Sequence, residues 1–162
     1  MRKFAIALLL VVALTLGLTG TAIACSAPNA TGGGKVDYPG CNATFAFTAI
    51  QVNNTTGVAK GEFEYADSTG VKFHGKVLYL AVAGNNAWIG CNITKSNVPG
   101  MVGIQLIFEV QDNGQGKKAT GPDLISYFPH EPASDALSEP DLFTMSGYFP
   151  LAHGNIWVFP GK

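Results

Sequence analysis

From Ala43 onward the dominant hydrophobic period of this chain is two, and a chain whose apolar side chains recur at every second residue folds as half-buried strands. Phe45, Phe47 and Ala49 alternate with Thr44, Ala46 and Thr48, and Phe63 and Tyr65 alternate with Glu62, Glu64 and Ala66. Between Val71 and Ala83 the alternation holds as far as Gly75, with Val71 and Phe73 on one face and Lys72, His74 and Lys76 on the other. Val77-Leu78-Tyr79-Leu80 is then apolar on both faces. That change of pattern across a glycine predicts one long strand, bent or bulged at Gly75. Ala87, Ile89, Cys91 and Ile93 share the inward face of the next strand, and Ile104, Leu106, Phe108 and Val110 that of a fifth, against Gln105, Glu109 and Gln111. Shorter strands are expected at 124–128 and 155–159.

The connections carry turn chemistry. Ser68-Thr69-Gly70, Gly84-Asn85-Asn86 and Asn113-Gly114 supply residues that tolerate positive φ, so consecutive strands are expected to pair as antiparallel hairpins. No helical period of useful length follows residue 25. The expected fold is all-β: an antiparallel sandwich or a partly closed up-and-down barrel of about seven or eight strands, two forms that this pattern does not separate. Residues 129–153 carry Pro129, Pro132, Pro140 and Pro150 with little alternation and read as a long loop.

The first 25 residues have a different character. Arg2 and Lys3 precede an uncharged stretch, Phe4 to Leu18, of roughly 15 residues, short of the ~20 that a membrane helix needs. Ala22-Ile23-Ala24 then leads into Cys25. A basic start, a short apolar run and small residues before a cut make an export signal over 1–24, and a cysteine at the cut is where a lipoprotein receives its lipid. Cleavage after Ala24 without lipidation satisfies the same residues. The expected location is exported, at the membrane through a lipid on Cys25 or free outside the cell. Ser26-Ala27-Pro28-Asn29-Ala30-Thr31-Gly32-Gly33-Gly34 offers nothing to bury, so 25–35 are expected as a flexible tether reaching roughly 15–18 Å, ahead of a single β domain at 36–162.

Export bears on the cysteines. If Cys25 carries a lipid, Cys41 and Cys91 remain to pair in an oxidising compartment, and their disulfide would contribute on the order of 4 kcal/mol on the chain-entropy model. The bland alternative is a pair of buried thiols.

Charge excludes one class of function. Arg2 is the only arginine, and the ten basic residues, Arg2 and Lys3 among them, stand against eleven acids. A mature chain with no arginine, no basic cluster and a net negative charge lacks the footprint of a nucleic-acid binder. Low charge, ten phenylalanines and many Gly, Asn and Thr suit an extracellular β domain.

Candidate chemistry is sparse. His130-Glu131 fails as a zinc-protease helix, because Ser134 stands where the second histidine is required and Pro132 breaks the helix. Ser146 lacks the preceding glycine of a nucleophile elbow, since Thr144 is there. Asp112, Asn113 and Asp123, in a glycine-rich stretch, are a candidate calcium site; the alternative is a hairpin connection whose carboxylates bond backbone amides. Trp88, Tyr148 and Trp157 are candidate ligand-binding aromatics for stacking on sugar or peptide, with core packing as the alternative. No cofactor is expected. The expected role is a non-catalytic binding or structural module of the cell envelope, with an unidentified envelope protein or carbohydrate as partner. The competing reading is a small secreted hydrolase using His130 or His153 with a carboxylate.

The order Gly61-x-x-x-Tyr65-x-Asp67, Phe73-His74-Gly75-x-Val77, Val82-x-Gly84-Asn85-x-Ala87-x-Ile89-Gly90 and Phe108-x-Val110-x-Asp112-Asn113-Gly114-x-Gly116, with Asp123 and Ser126, resembles a group of small exported bacterial β-domains with no known activity. The resemblance covers residues 43–128. It implies an exported β fold and carries over no catalytic residue.

Overall fold

The structure is a computed structural model that describes residues 26–52, 57–126 and 147–162, and the backbone of 130–131. The expected export signal, Cys25 and the greater part of the proline-rich loop lie outside the described residues. The strands are β1 (Asn29–Tyr38), β2 (Cys41–Gln51), β3 (Val58–Asp67), β4 (Lys72–Ala83), β5 (Asn86–Ser96), β6 (Gln105–Gln111), β7 (Leu124–Ser126), β8 (His130–Glu131) and β9 (Tyr148–Phe159).

Every strand pairs antiparallel with its neighbours. β1 to β6 follow one another as a meander, β6 pairs with β7, β7 with β9, and β9 returns to β1. The sheet therefore closes as an eight-stranded barrel, with β8 continuing the edge of β6 at Gln105 and Leu106. Closure removes the free edges that a sandwich would have left. The shift of register between His74 and Gly75 is the irregularity expected from the glycine. A second one between Val77 and Tyr79 inserts Leu78 as an extra residue and turns it outward, which accounts for the stretch that is apolar on both faces.

Eight strands enclose a space that side chains can fill, and here phenylalanines fill it. Phe63 and Phe108 are wholly buried with their ring centroids 4.7 Å apart. Phe47 meets Phe108 edge-on at 5.6 Å, and Phe73 lies between Phe63 and Tyr65 at 5.7 and 4.7 Å. Leu80, Ile89, Ile93, Leu106, Ile125 and Ile156 complete the interior. Each such burial is worth about 1.5–3 kcal/mol. The outer wall of β2 to β4 is exposed and mostly polar, with Thr44, Thr48, Lys60, Glu62, Glu64, Lys72 and Lys76.

The tether expected over 25–35 is corrected. Asn29 to Lys35 belong to β1, which is hydrogen-bonded along its length to β2 on one side and β9 on the other, so the domain begins at Asn29 and not at 36. Gly32 and Gly34 lie across from Phe47 and Phe45, and Ala30 and Val36 on the same face are fully buried. A Cβ on Gly32 would stand 2.8 Å from the Asn155 carbonyl oxygen and 2.9 Å from Ile156 Cγ1. The glycines are thus the complement of the phenylalanines: a strand with no side chains leaves room for the rings and for close approach of β9.

The disulfide is corrected as well. Cys41 and Cys91 are both free thiols, Cys41 half-buried and Cys91 buried. The ladder runs from Cys91 through Val77 and Gly61 to Ala49, near the opposite end of β2 from Cys41. A disulfide needs Cα atoms within about 7 Å. Burial pushes the Cys91 thiol up to about 12, against a backbone hydrogen bond at Leu106 that lowers it.

Candidate functional site

The outer wall of β2 to β5 carries a concave depression of about 610 Å³, set toward the end of the barrel away from where β1 begins. Its floor follows from strand register. Thr44 pairs with Ala66 and Ala46 with Glu64; Glu64 pairs with His74 and Ala66 with Lys72; His74 then pairs with Lys95. One step along, Glu62 faces Lys76. Alternation puts all of these side chains outward, so carboxylates on β3 stand beside cations on β4 and β5.

His74 is the centre of this arrangement. Its Nε2 lies 3.7 Å from Glu62 Oε2 and 3.9 Å from Glu64 Oε1, and the ring is about a quarter exposed while both carboxylates are largely open. The bulge at Gly75 leaves Thr94 beside the ring. The Thr94 hydroxyl donates to the His74 carbonyl at 3.2 Å and lies 3.3 Å from Nδ1, which leaves Nε2 turned toward the two carboxylates. Asn97 braces the rim. Its Oδ1 accepts from the Lys72 amide at 2.7 Å and its Nδ2 donates to the Gly70 carbonyl at 2.7 Å. Exposed pairs of this kind contribute under about 1 kcal/mol to folding, and their carboxylate and cationic groups stay open to a ligand.

Of the sequence-selected aromatics, the structure brings two together. Trp88 pairs across the ladder with Glu109 on the outer wall, and both are more than nine-tenths buried. The Tyr148 hydroxyl hydrogen-bonds the Glu109 carboxylate; burial first, and then that bond and charge, raise the tyrosine well above its ordinary value. The Glu109 amide donates to Ser126 Oγ at 2.9 Å. Among the described residues, Trp88 Nε1 and Glu109 Oε2 have no hydrogen-bond partner. Trp157 stands apart, opposite Thr31 on the outer face of β9 and 56% exposed.

The candidate calcium residues are engaged with backbone. Asp112 Oδ1 accepts from the Gly114 amide at 2.8 Å and its Oδ2 from Val158 at 3.1 Å; Asp123 Oδ1 accepts from Asn113 at 2.8 Å and its Oδ2 from Ile156 at 2.6 Å. Asn113 Nδ2 donates to the Pro122 carbonyl at 2.7 Å. The group ties the β6–β7 connection to β9. Among the described residues no cluster of three His, Cys, Asp or Glu side chains is set to hold a metal.

The histidines considered for hydrolysis are not joined to this wall. His153, on β9, pairs with Lys35 of β1 and is exposed, and of His130 only the backbone, on β8, is described. The grouping that sequence reading missed is His74 with Glu62 and Glu64. Its signal was present: two carboxylates at alternate positions on one strand, and a histidine on the same face of the next strand across the Ser68-Thr69-Gly70 turn.

No family model, no curated protein and no solved structure matches this chain.

Proposed function

We propose that the chain is an exported cell-envelope protein, held at the membrane by a lipid on Cys25, whose barrel is a non-catalytic module that binds its ligand on the outer wall. One observation carries the binding half of this reading. The barrel interior is filled by Phe63, Phe108, Leu80 and Ile89, all fully buried, so recognition falls to the exterior. On that exterior the depression around His74 is lined by Glu64, Lys72 and Lys95, with Glu62 and Lys76 paired one step along the strands. A wall that alternates in sign suits an extended ligand bearing both charges, such as a peptide segment, since each ligand charge meets its opposite.

Membrane fractionation tests the anchor: wild type is expected with the membranes and Cys25→Ala in the soluble fraction, and a variant that stays with the membranes as fully as wild type sinks it. Titration with peptides of mixed charge, followed by NMR shifts, tests the wall. Shifts are expected at β3 and β4 that vanish in the His74→Ala, Glu64→Gln double variant. Turnover of an ester, glycoside or peptide by wild type, lost in His74→Ala, would replace binding with catalysis.

A further inference from the structure

We propose that the end of the barrel where β1 begins rests directly on an anionic bilayer surface. Only Ser26, Ala27 and Pro28 separate the strand from Cys25, a span of at most about 14 Å from Cys25 to Asn29 when fully extended. Even these residues are tied to the barrel. The Ser26 carbonyl accepts from the Lys162 amide at 3.3 Å, the Pro28 carbonyl from Gln51 at 2.9 Å, and the Ala27 carbonyl from Asn29 Nδ2 at 3.1 Å. A lipid on Cys25 therefore holds this end against the membrane instead of leaving the domain on a leash.

The surface there suits that position. Val52 is 60% exposed, Val58 52%, Trp157 56% and Ile50 39%; Ile50 pairs with Asn29, which pairs with Phe159, and the Val52 amide donates to the Val58 carbonyl. Among the large hydrophobic side chains exposed in the described residues, Val102 alone lies at the opposite end. Tryptophan with small aliphatics is what the interfacial layer of a bilayer accepts. Lys117 and Lys118, in the β6–β7 connection, and Lys162 are exposed at the same end. Among the described residues, the carboxylates nearby, Asp112 and Asp123, are turned to backbone amides. The end thus presents lysines around an apolar patch, the complement of anionic headgroups.

The geometry of this inference rests on the lipid at Cys25, but the lysines and Trp157 act on a bilayer with or without it. The experiment keeps the two apart. Mass spectrometry of the membrane-extracted protein reads the lipid. The same full-length product, placed on phosphatidylglycerol vesicles with brominated acyl chains, reads the docking through tryptophan fluorescence. Quenching is expected in wild type and lost in Trp157→Phe, because Trp157 is 56% exposed while Trp88 is 7% exposed. A lipid-bearing protein that is not quenched, or one quenched equally in Trp157→Phe, overturns the docking and leaves the anchor standing. A protein without the lipid that is still quenched removes the anchor and upholds the docking; absence of both overturns both. In the Cys25→Ala chain, Lys117→Gln/Lys118→Gln/Lys162→Gln is expected to weaken vesicle partition by roughly 100-fold, about fivefold per lysine. Unchanged partition overturns the proposal.

Discussion

Toward the end of the barrel where β1 begins, Asp123 is buried against backbone amides; toward the far end, Asp67, Glu64 and Glu62 stand where water reaches them. Asp123 is 6% exposed, and both of its oxygens accept amides, from Asn113 and Ile156, so that it locks the long β6–β7 connection onto β9. Asp67, at the β3–β4 turn, accepts from the Thr69 amide at 2.8 Å, the Thr69 hydroxyl at 2.6 Å, Val71 at 3.1 Å and the Tyr65 hydroxyl at 3.2 Å, but in a turn open to water. Back along the same hairpin stand Glu64 and Glu62, exposed, with His74 partly buried beside them, all paired only across strands. The same residue types therefore serve different ends: where the carboxylate is buried its bonds hold the fold, and where it is open its charge remains available to another molecule.

The sharpest way to break that contrast is to remove one carboxylate from each end. Asp123→Ala strands two backbone amides away from water and is expected to cost about 3–5 kcal/mol in urea denaturation. Asp67→Ala, whose amides can turn to solvent, is expected to cost about 1 kcal/mol. Equal losses would erase the distinction.

Gly34→Ala asks whether the glycine run at the first end is wall or leash. A Cβ there would overlap the His153 carbonyl oxygen across the β1–β9 seam, so a loss of about 3 kcal/mol is expected, against none for a tether.

The thiols sharpen the picture next. Titration of the denatured protein without reductant is expected to find Cys41 and Cys91 both free. In the native protein a thiol-alkylating reagent should modify half-buried Cys41 and spare Cys91, whose thiolate is suppressed by burial. An alkylation-resistant pair that appears only after reduction would restore the disulfide.

The smallest effect is in pH. Burial acts to raise the Asp67 pKa, but the bonds from Thr69, Val71 and Tyr65 outweigh it and hold the carboxyl below its ordinary 3.8. Its contribution is therefore complete above that ordinary value and is lost as pH falls through the lower, folded value. The stability difference between wild type and Asp67→Asn should be greatest at neutral pH, under about 1 kcal/mol, and shrink in acid. A difference that grows in acid would reverse the sign of the coupling.

Much of the fold is legible in the alternation of residue types. The inward positions of β2, β3, β5 and β6 are those that period two marks, the bulge falls at Gly75, and Gly70, Gly84 and Gly114 all take positive φ at the expected turns, with φ of 94°, 61° and 88°. β1 was illegible because its core-facing residues, Gly32 and Gly34, have no side chain to show a period. Glu109 was illegible in another way: its position on the outer face of β6 was plain, but its burial beside Trp88 and its bond to Tyr148 depend on β9 arriving next to β7. His74 with Glu62 and Glu64 lay between these cases. The hairpin made them neighbours, while the side-chain direction rested on the bulge that sets Thr94 against the ring.

Local chemistry thus settled the strands from β2 to β6, their faces and their turns, because a side chain's preference for water or core acts residue by residue. Closure of the sheet, the role of a glycine strand as a wall, the separation of Cys41 from Cys91 and the different uses of the acidic residues at the two ends came only with the tertiary structure. Each of these depends on which distant backbone lies alongside, and that is a property of register around the whole barrel.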